Sequence, residues 1–231
     1  GKAKLTTTQL AVQDLLDRAV AEARVTGRQV RYAVRVTPAG LTVEQVPEDL
    51  GFAGFRLHFP LNQADPYNEF MVFLGASYFR VVGRGQQYGI SGRGLAVQTG
   101  ENEPEEFPIF REFWIEKPEP GQTDIVVHAL LDSESLSGAY RFHIRPGTHS
   151  PVEVRATLFP RREIRKLGIA PMSSMYLQGE NDPAQVDDYR PEIHDSDGLA
   201  IRTGGGEWIW RPLINPRDTW VSSFTDNNPR R

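Results

Sequence analysis

The 231-residue chain contains no cysteine. Disulfides and thiolate metal sites are therefore excluded, while the compartment stays open, because a cysteine-free chain suits an oxidising space as well as the cytosol. No apolar run is long enough to cross a membrane as a helix. Positive charge is not in excess: 26 Lys and Arg stand against 30 Asp and Glu, a net charge of −4. That leaves no basic footprint for nucleic acid. Phosphate loops are missing too. The glycines of Gly75 to Arg80 and Gly83 to Gly89 lack the Lys-Ser/Thr of a phosphate-binding loop, and suit turns and bulges instead. No Gly-x-Ser-x-Gly elbow marks a nucleophilic serine. The start, Gly1-Lys2-Ala3-Lys4, leads into a polar, Thr-rich stretch without a signal peptide, and the end, Asn227 to Arg231, is turn-like. Both ends are those expected of a piece of something longer.

What is present points to a folded β protein. Hydrophobic residues at 39% and aromatics at 10% allow a real core. Thr6 to Arg24 reads as a helix, with Leu10, Leu15, Leu16, Ala19 and Ala23 near helical spacing and Gly27 as its stop. Val30, Tyr32, Val34 and Val36 alternate as a strand. Pro38-Ala39-Gly40 turns the chain, and Leu41 to Val46 returns as a hairpin partner. From Gly51 onward nearly everything reads as β: Phe55 to Phe59, Met71 to Leu74, Ile125 to Leu131, Tyr140 to Ile144 and Val152 to Phe159. Gly and Pro punctuate these runs at short intervals, so a sandwich or barrel is expected. Arg161 to Lys166 is read as one helical turn. The composition shifts near Val46 to Leu50, which sets residues 1–50, helix plus hairpin, apart from a β-sandwich domain over 51–231.

Chemistry concentrates in Asp188 to Leu199, where four carboxylates, a His, an Arg and a Tyr occupy twelve residues. On a strand, Asp195 and Asp197 would share one face, and their mutual repulsion would suit acid/base work. The other reading is a turn ending at Gly198, with Asp side chains capping backbone amides. A partial calcium loop lacks the third spaced carboxylate and the distal Glu. Trp208 and Trp210 share a face on a later strand. They either stack sugar rings or pack a rim. Glu207 and Arg211 flank them, to pair with each other or to bind hydroxyls. His58, His128 and His143 fall on separate strands without metal-ligand spacing. No metal and no cofactor is expected.

Several blocks carry a resemblance. They are Gly51 to Leu57, Phe73 to Arg80, Tyr88 to Ser91, Glu106-Phe107-Pro108 with Phe113 to Glu116, Leu130 to Ser133, Gly138 to Phe142, Leu167 to Met172, Asp188 to Leu199 and Gly206 to Leu213. In this order, from about Leu50 to Asn228, they closely resemble the periplasmic glucan biosynthesis proteins G and D, the MdoG/OpgG and OpgD family. The resemblance implies a bacterial periplasmic protein acting on osmoregulated glucans with a β-1,2-linked backbone. It implies a large β-sandwich of the galactose-mutarotase type, followed in the family by an immunoglobulin-like domain absent from these residues. D-type members are similar to inverting endo-β-1,2-glucanases. Their general base falls in the His-Asp-Ser-Asp-Gly-Leu block, here at Asp197, where G-type members can carry Asn. The family's general acid lies downstream of the Asn-Pro-Arg segment and is missing from this chain.

The resulting expectation is an inverting endo-β-1,2-glucanase, with a non-catalytic glucan-binding or assembly factor as the alternative. A mutarotase-like or lyase activity is a third reading, from fold analogy alone. Asp197 would activate water, with Asp195 and His194 orienting or tuning it. Tyr189, Arg190, Glu207, Trp208, Trp210, Tyr78 and Arg80 would line substrate subsites. The partner would be β-1,2-glucan. Unpaired strand edges would invite association, a homodimer being one form of it.

Overall fold

The computed structural model describes residues 32–37, 40–45, 54–63, 68–116, 118–119, 121–183 and 187–227. The helix expected over Thr6 to Arg24 lies outside them, as do Pro38 and Ala39 of the expected turn. Among the described residues there are seventeen β-strands and no helix, and so none that is long and apolar enough to cross a membrane.

Strands β1 (Tyr32–Thr37) and β2 (Gly40–Gln45) form the expected antiparallel hairpin. Its place in the fold was not visible in the sequence. β1 pairs in parallel with β3 (Phe55–Phe59), Val34 beside Leu57. The hairpin thereby extends a seven-stranded sheet that continues through β4 (Asn68–Gly75), β5 (Tyr78–Val81) and β6 (Ser91–Arg93). The strand β7 (Leu95–Val97) stands beyond it. A second sheet is an up-and-down run of β8 (Ile109–Ile115), β9 (Ile125–Asp132), β10 (Leu136–Ile144) and β11 (Val152–Pro160). Short strands follow: β12 (Leu167–Ile169), β13 (Met172–Ser173), β14 (Tyr176–Gln178), β15 (Ile193–His194), β16 (Gly198–Arg202) and β17 (Trp208–Pro212). β13 closes one edge of the large sheet on β6, β12 pairs with β7, and β14–β15 and β16–β17 are two-stranded ribbons.

The two large sheets bury one face each against the other, which makes a β-sandwich. Period-two patterning does this. Along β10, Leu136, Gly138, Tyr140, Phe142 and Ile144 point inward and are buried, while Ser137, Ala139, Arg141 and His143 point out. Ile125, Val127, Ala129 and Leu131 do the same on β9. Phe73 of β4 sits at the centre, with its ring 4.7 Å from Phe55, 5.0 Å from Phe113 and 5.2 Å from Phe142. Full burial of each such side chain contributes roughly 1.5–3 kcal/mol. Tyr140 joins this core because its hydroxyl donates to the Gly94 carbonyl at 2.8 Å. Burial pushes that phenol up to about 12. Gly54 is required where β3 begins: its φ is +149°, and a Cβ there would fall 1.8 Å from the Phe73 carbonyl oxygen.

The helical turn expected over Arg161 to Lys166 does not form; the segment bends without helical hydrogen bonds. Its cations are drawn to the tip of the β9–β10 hairpin instead. Arg161 reaches Asp132 at 2.7 Å and Arg162 reaches Glu134 at 2.7 Å. These pairs run across the sheet, where a helix would need them turned to one side.

Candidate functional site

The acidic stretch does not run as one strand. β15 ends at His194, and the chain bends before β16 starts at Gly198. Asp195 and Asp197 therefore part company. Asp195 turns toward the large sheet, where its Oδ2 accepts from Arg80 Nη2 at 3.2 Å and from the Met175 N–H at 3.0 Å. The Asp195 N–H donates in turn to the Met175 carbonyl at 2.8 Å. Arg80 is fixed as well, its Nε donating to Ser91 Oγ at 2.7 Å. Asp195 is thus a strut between β5 and the bend, and Arg80 is its counter-charge.

Asp197 goes the other way. Its Oδ1 lies 3.3 Å from His194 Nε2, and the same nitrogen lies 2.7 Å from Glu192 Oε2. Two carboxylates thus converge on one imidazole nitrogen. The ring itself is held: it stacks on Tyr176 with centroids 5.4 Å apart and planes within 6°. Gly179 lies against it, since a Cβ there would fall 2.9 Å from His194 Cδ2. The His194 side chain is 11% exposed, against 56% for Asp197, so a rigid imidazole supports an open carboxylate. The backbone under Asp197 is fixed by the Leu213 N–H, 2.8 Å from the Asp197 carbonyl. Glu192, His194 and Asp197 offer ligand atoms within 4.8 Å of one another and could hold a metal ion. The hydrogen bond to Glu192 already satisfies the His194 nitrogen without one.

β16 and β17 then present the tryptophans. Trp208 pairs with Arg202 and Trp210 with Ala200, so both rings share one face, and both are more than half exposed. Trp210 lies against Gly198, next to Asp197: a Cβ at Gly198 would fall 2.7 Å from the indole. The Arg202 guanidinium sits 5.7 Å from the Trp208 ring. Arg211 lies over the Phe224 ring at 5.1 Å rather than against Glu207, and Glu207 stands just before the strand.

The other expected residues fall at different distances from this centre. Asp188 and Arg190 grip each other bidentately at 2.9 and 2.6 Å, and the Arg190 hydrogen bonds hold the Asp188 carboxyl down at about 2. Tyr189 between them projects into solvent, 96% exposed. Tyr78 shares the outward face of β5 with Arg80, but its ring is occupied by the Arg93 guanidinium at 5.2 Å. Sequence reasoning missed Glu192 and Tyr176. Glu192 stood in the acidic stretch, two residues before His194. Nothing along the chain pointed to Tyr176, because only the β14–β15 register sets it on His194.

These features define a β-sandwich protein with a polar and aromatic open flank. The family model described as "Periplasmic glucan biosynthesis protein, MdoG" matches residues 5–231, and the chain belongs to that family. The match reaches well ahead of Leu50 and takes in the β1–β2 hairpin. A relative from Rhodopseudomonas palustris (strain BisA53), named "Glucans biosynthesis protein G", is 53% identical over 204 residues, 88% of this chain and 41% of its own length. One from Bradyrhizobium diazoefficiens is 59% identical over 181 residues, 78% and 36% respectively. One from Shewanella sp. (strain ANA-3) is 51% identical over 220 residues, 94% and 40%. Both of these carry the same name. The chain spans between 36% and 41% of the length of these curated relatives.

Proposed function

We propose that this chain is the glucan-binding β-sandwich, of the galactose-mutarotase type, of a periplasmic protein of glucan biosynthesis, and that its ligand is a β-1,2-linked glucan. One observation carries the reading: an open Asp197 carboxylate on a rigid His194 support, one residue from a glycine covered by the exposed Trp210. An indole face fits the apolar face of a pyranose, and a neighbouring carboxylate accepts its hydroxyls. The family match and the names of the relatives supply the glucan and, through the family's name, the periplasm.

On this reading Asp197 is the base that takes a proton from water in an inverting cleavage. Such cleavage needs a second carboxyl group about 6.5–9.5 Å away, across room for the water and the sugar. Glu192 cannot fill that role, because His194 occupies the space between it and Asp197. The acid then comes from the downstream segment that the resemblance implies. The second reading is a binding or assembly factor that does not cut. It is favoured by the G name of the relatives.

A chromatographic time course of linear β-1,2-glucan, run with this chain and with the longer protein, separates the two readings. Short products from the longer protein, abolished by Asp197→Asn, support the hydrolase. Saturable binding with an unchanged polymer in both supports the binding factor. No binding and no products sink the proposal.

A further inference from the structure

Two histidines of the four-stranded sheet each have one carboxylate partner, His128 with Glu116 at 2.6 Å and His143 with Asp124 at 2.5 Å. His194 differs from both. Among the described residues, only here do two acids meet one imidazole nitrogen, and only here do three ligand atoms lie within 4.8 Å of one another. A second observation comes from outside the acids. The Tyr176 hydroxyl is buried and has no hydrogen-bond partner among the described residues, and such atoms are rare in folded proteins. It lies at the same place: a Cβ built on Gly179 would fall 2.9 Å from Tyr176 Oη and 3.2 Å from His194 Nε2. An O–H so placed needs an acceptor, and a metal-bound water or a re-aimed carboxylate oxygen supplies one.

The distances suit a small metal ion. A tetrahedral metal with bonds of about 2.0–2.1 Å sets its ligand atoms about 3.3 Å apart. His194 Nε2 and Asp197 Oδ1 already stand at 3.3 Å, and only the 2.7 Å separation of Nε2 from Glu192 Oε2 has to open. The Glu192 and Asp197 side chains are half exposed and can swing, while the imidazole is held on Tyr176. The hydrogen bond to Glu192 is what the metal displaces. Its proton passes to Nδ1 of the same ring, which frees the Nε2 lone pair and keeps the imidazole neutral. One imidazole and two carboxylates suit a first-row transition dication. Calcium and magnesium take six or more oxygen ligands, and this set has a nitrogen at its centre. Three protein ligands leave a fourth position for water.

We propose that Glu192, His194 and Asp197 form a binding site for a transition-metal dication, with zinc as the probe, and that metal bound there withdraws Asp197 from the glucan. The site rests on the geometry of the trio and of Tyr176. The competition with glucan rests on the function proposed above.

The test is calorimetric titration of the 231-residue chain with Zn²⁺, alongside the nitrogen NMR signals of the histidine rings. One zinc is expected at the trio, with a shift of His194 Nε2. Glu192→Gln and Asp197→Asn should each weaken that binding at least tenfold, and Glu116→Gln, which alters the acid beside His128, should leave it unchanged. Zinc binding that survives both variants, or a His194 ring signal that stays still, overturns the site. The NMR shift in the unaltered chain decides alone if a variant does not fold. Saturating zinc should then weaken the binding of linear β-1,2-glucooligosaccharides about tenfold. Unchanged glucan affinity overturns the competition and leaves the metal site standing. Zinc bound at the trio in a chain that takes no glucan overturns the glucan reading, and the competition with it, but not the site.

Discussion

The sandwich between β3 and β10 and the ribbons from β12 to β17 are built on opposite terms. In the first, large apolar side chains are hidden: Leu57, Met71, Val127, Leu131, Phe142 and Ile144 have no exposed surface. In the second they stand in the open: Ile169 is 79% exposed, Trp208 is 69%, and Met172 is 61%. Strand length underlies the difference. β9 and β10 have eight and nine residues and face another sheet, whereas β12 to β17 have two to five and pair in twos or at an edge. A two-stranded ribbon has no second layer to cover its side chains. The first region therefore holds the fold, and the second displays groups. The candidate site sits where they meet, through Arg80 and Asp195.

The sharpest way to break this comparison is to remove one ring from each region. Phe73→Ala should cost about 3–5 kcal/mol in chemical denaturation, because the ring touches aromatics from both sheets. Trp208→Ala should change stability by no more than about 0.5 kcal/mol. A large loss at Trp208 would mean that the ribbon carries the fold as well.

The junction comes next. Arg80→Ala leaves the mostly buried Asp195 carboxylate without its counter-charge, and should cost about 1–3 kcal/mol. Hydrogen exchange at residues 193–197 should speed up in that variant while the β9–β10 amides keep their protection. Uniform loss of protection would deny that Arg80 acts as a local strut.

Smaller effects follow on the display side and at the hairpin tip. Trp208→Ala and Trp210→Ala should each weaken β-1,2-glucan binding about tenfold, or about 1.4 kcal/mol, without moving the melting temperature. Unchanged affinity would return the indoles to rim packing. Acid should act on the sandwich. Burial opposes ionisation of Glu106, but hydrogen bonds from Ser133 and Ser135 and the Arg162 charge outweigh it, so its pKa is lowered from 4.5. Asp132 is lowered too, by its hydrogen bond and charge contact with Arg161, and Asp124 by its hydrogen bond to His143. A lowered carboxylate contributes stability above its unfolded pKa and loses it as pH falls through the folded one. Stability should therefore drop below about pH 4.5, where the ordinary carboxylate range begins. Ser135→Ala should flatten the Glu106 part of that drop; an unaltered acid profile would assign the drop elsewhere.

The strands were legible along the chain wherever one face is buried and the other wet. β10 read directly from alternation, β9 from its apolar run, and the β1–β2 hairpin from alternation around a turn, because backbone pairing between neighbours in sequence needs only local information. The same locality explains the miss at Arg161 to Lys166. Four cations in six residues look helical until Asp132 and Glu134 on another hairpin claim two of them.

Composition, alternation and punctuation determined by themselves that this is an all-β protein, that its chemistry gathers in Asp188 to Leu199, and that Trp208 and Trp210 share a face. These are properties of single strands or short segments, set by the two-residue period and by residue type. Only the tertiary structure decided that Asp195 is tied to Arg80, 115 positions away, while Asp197 shares His194 with Glu192. It alone set Tyr176 under His194. The reason is that strand register and the packing of segments distant in sequence fix which side chains meet, and no pattern along one strand encodes the register of another.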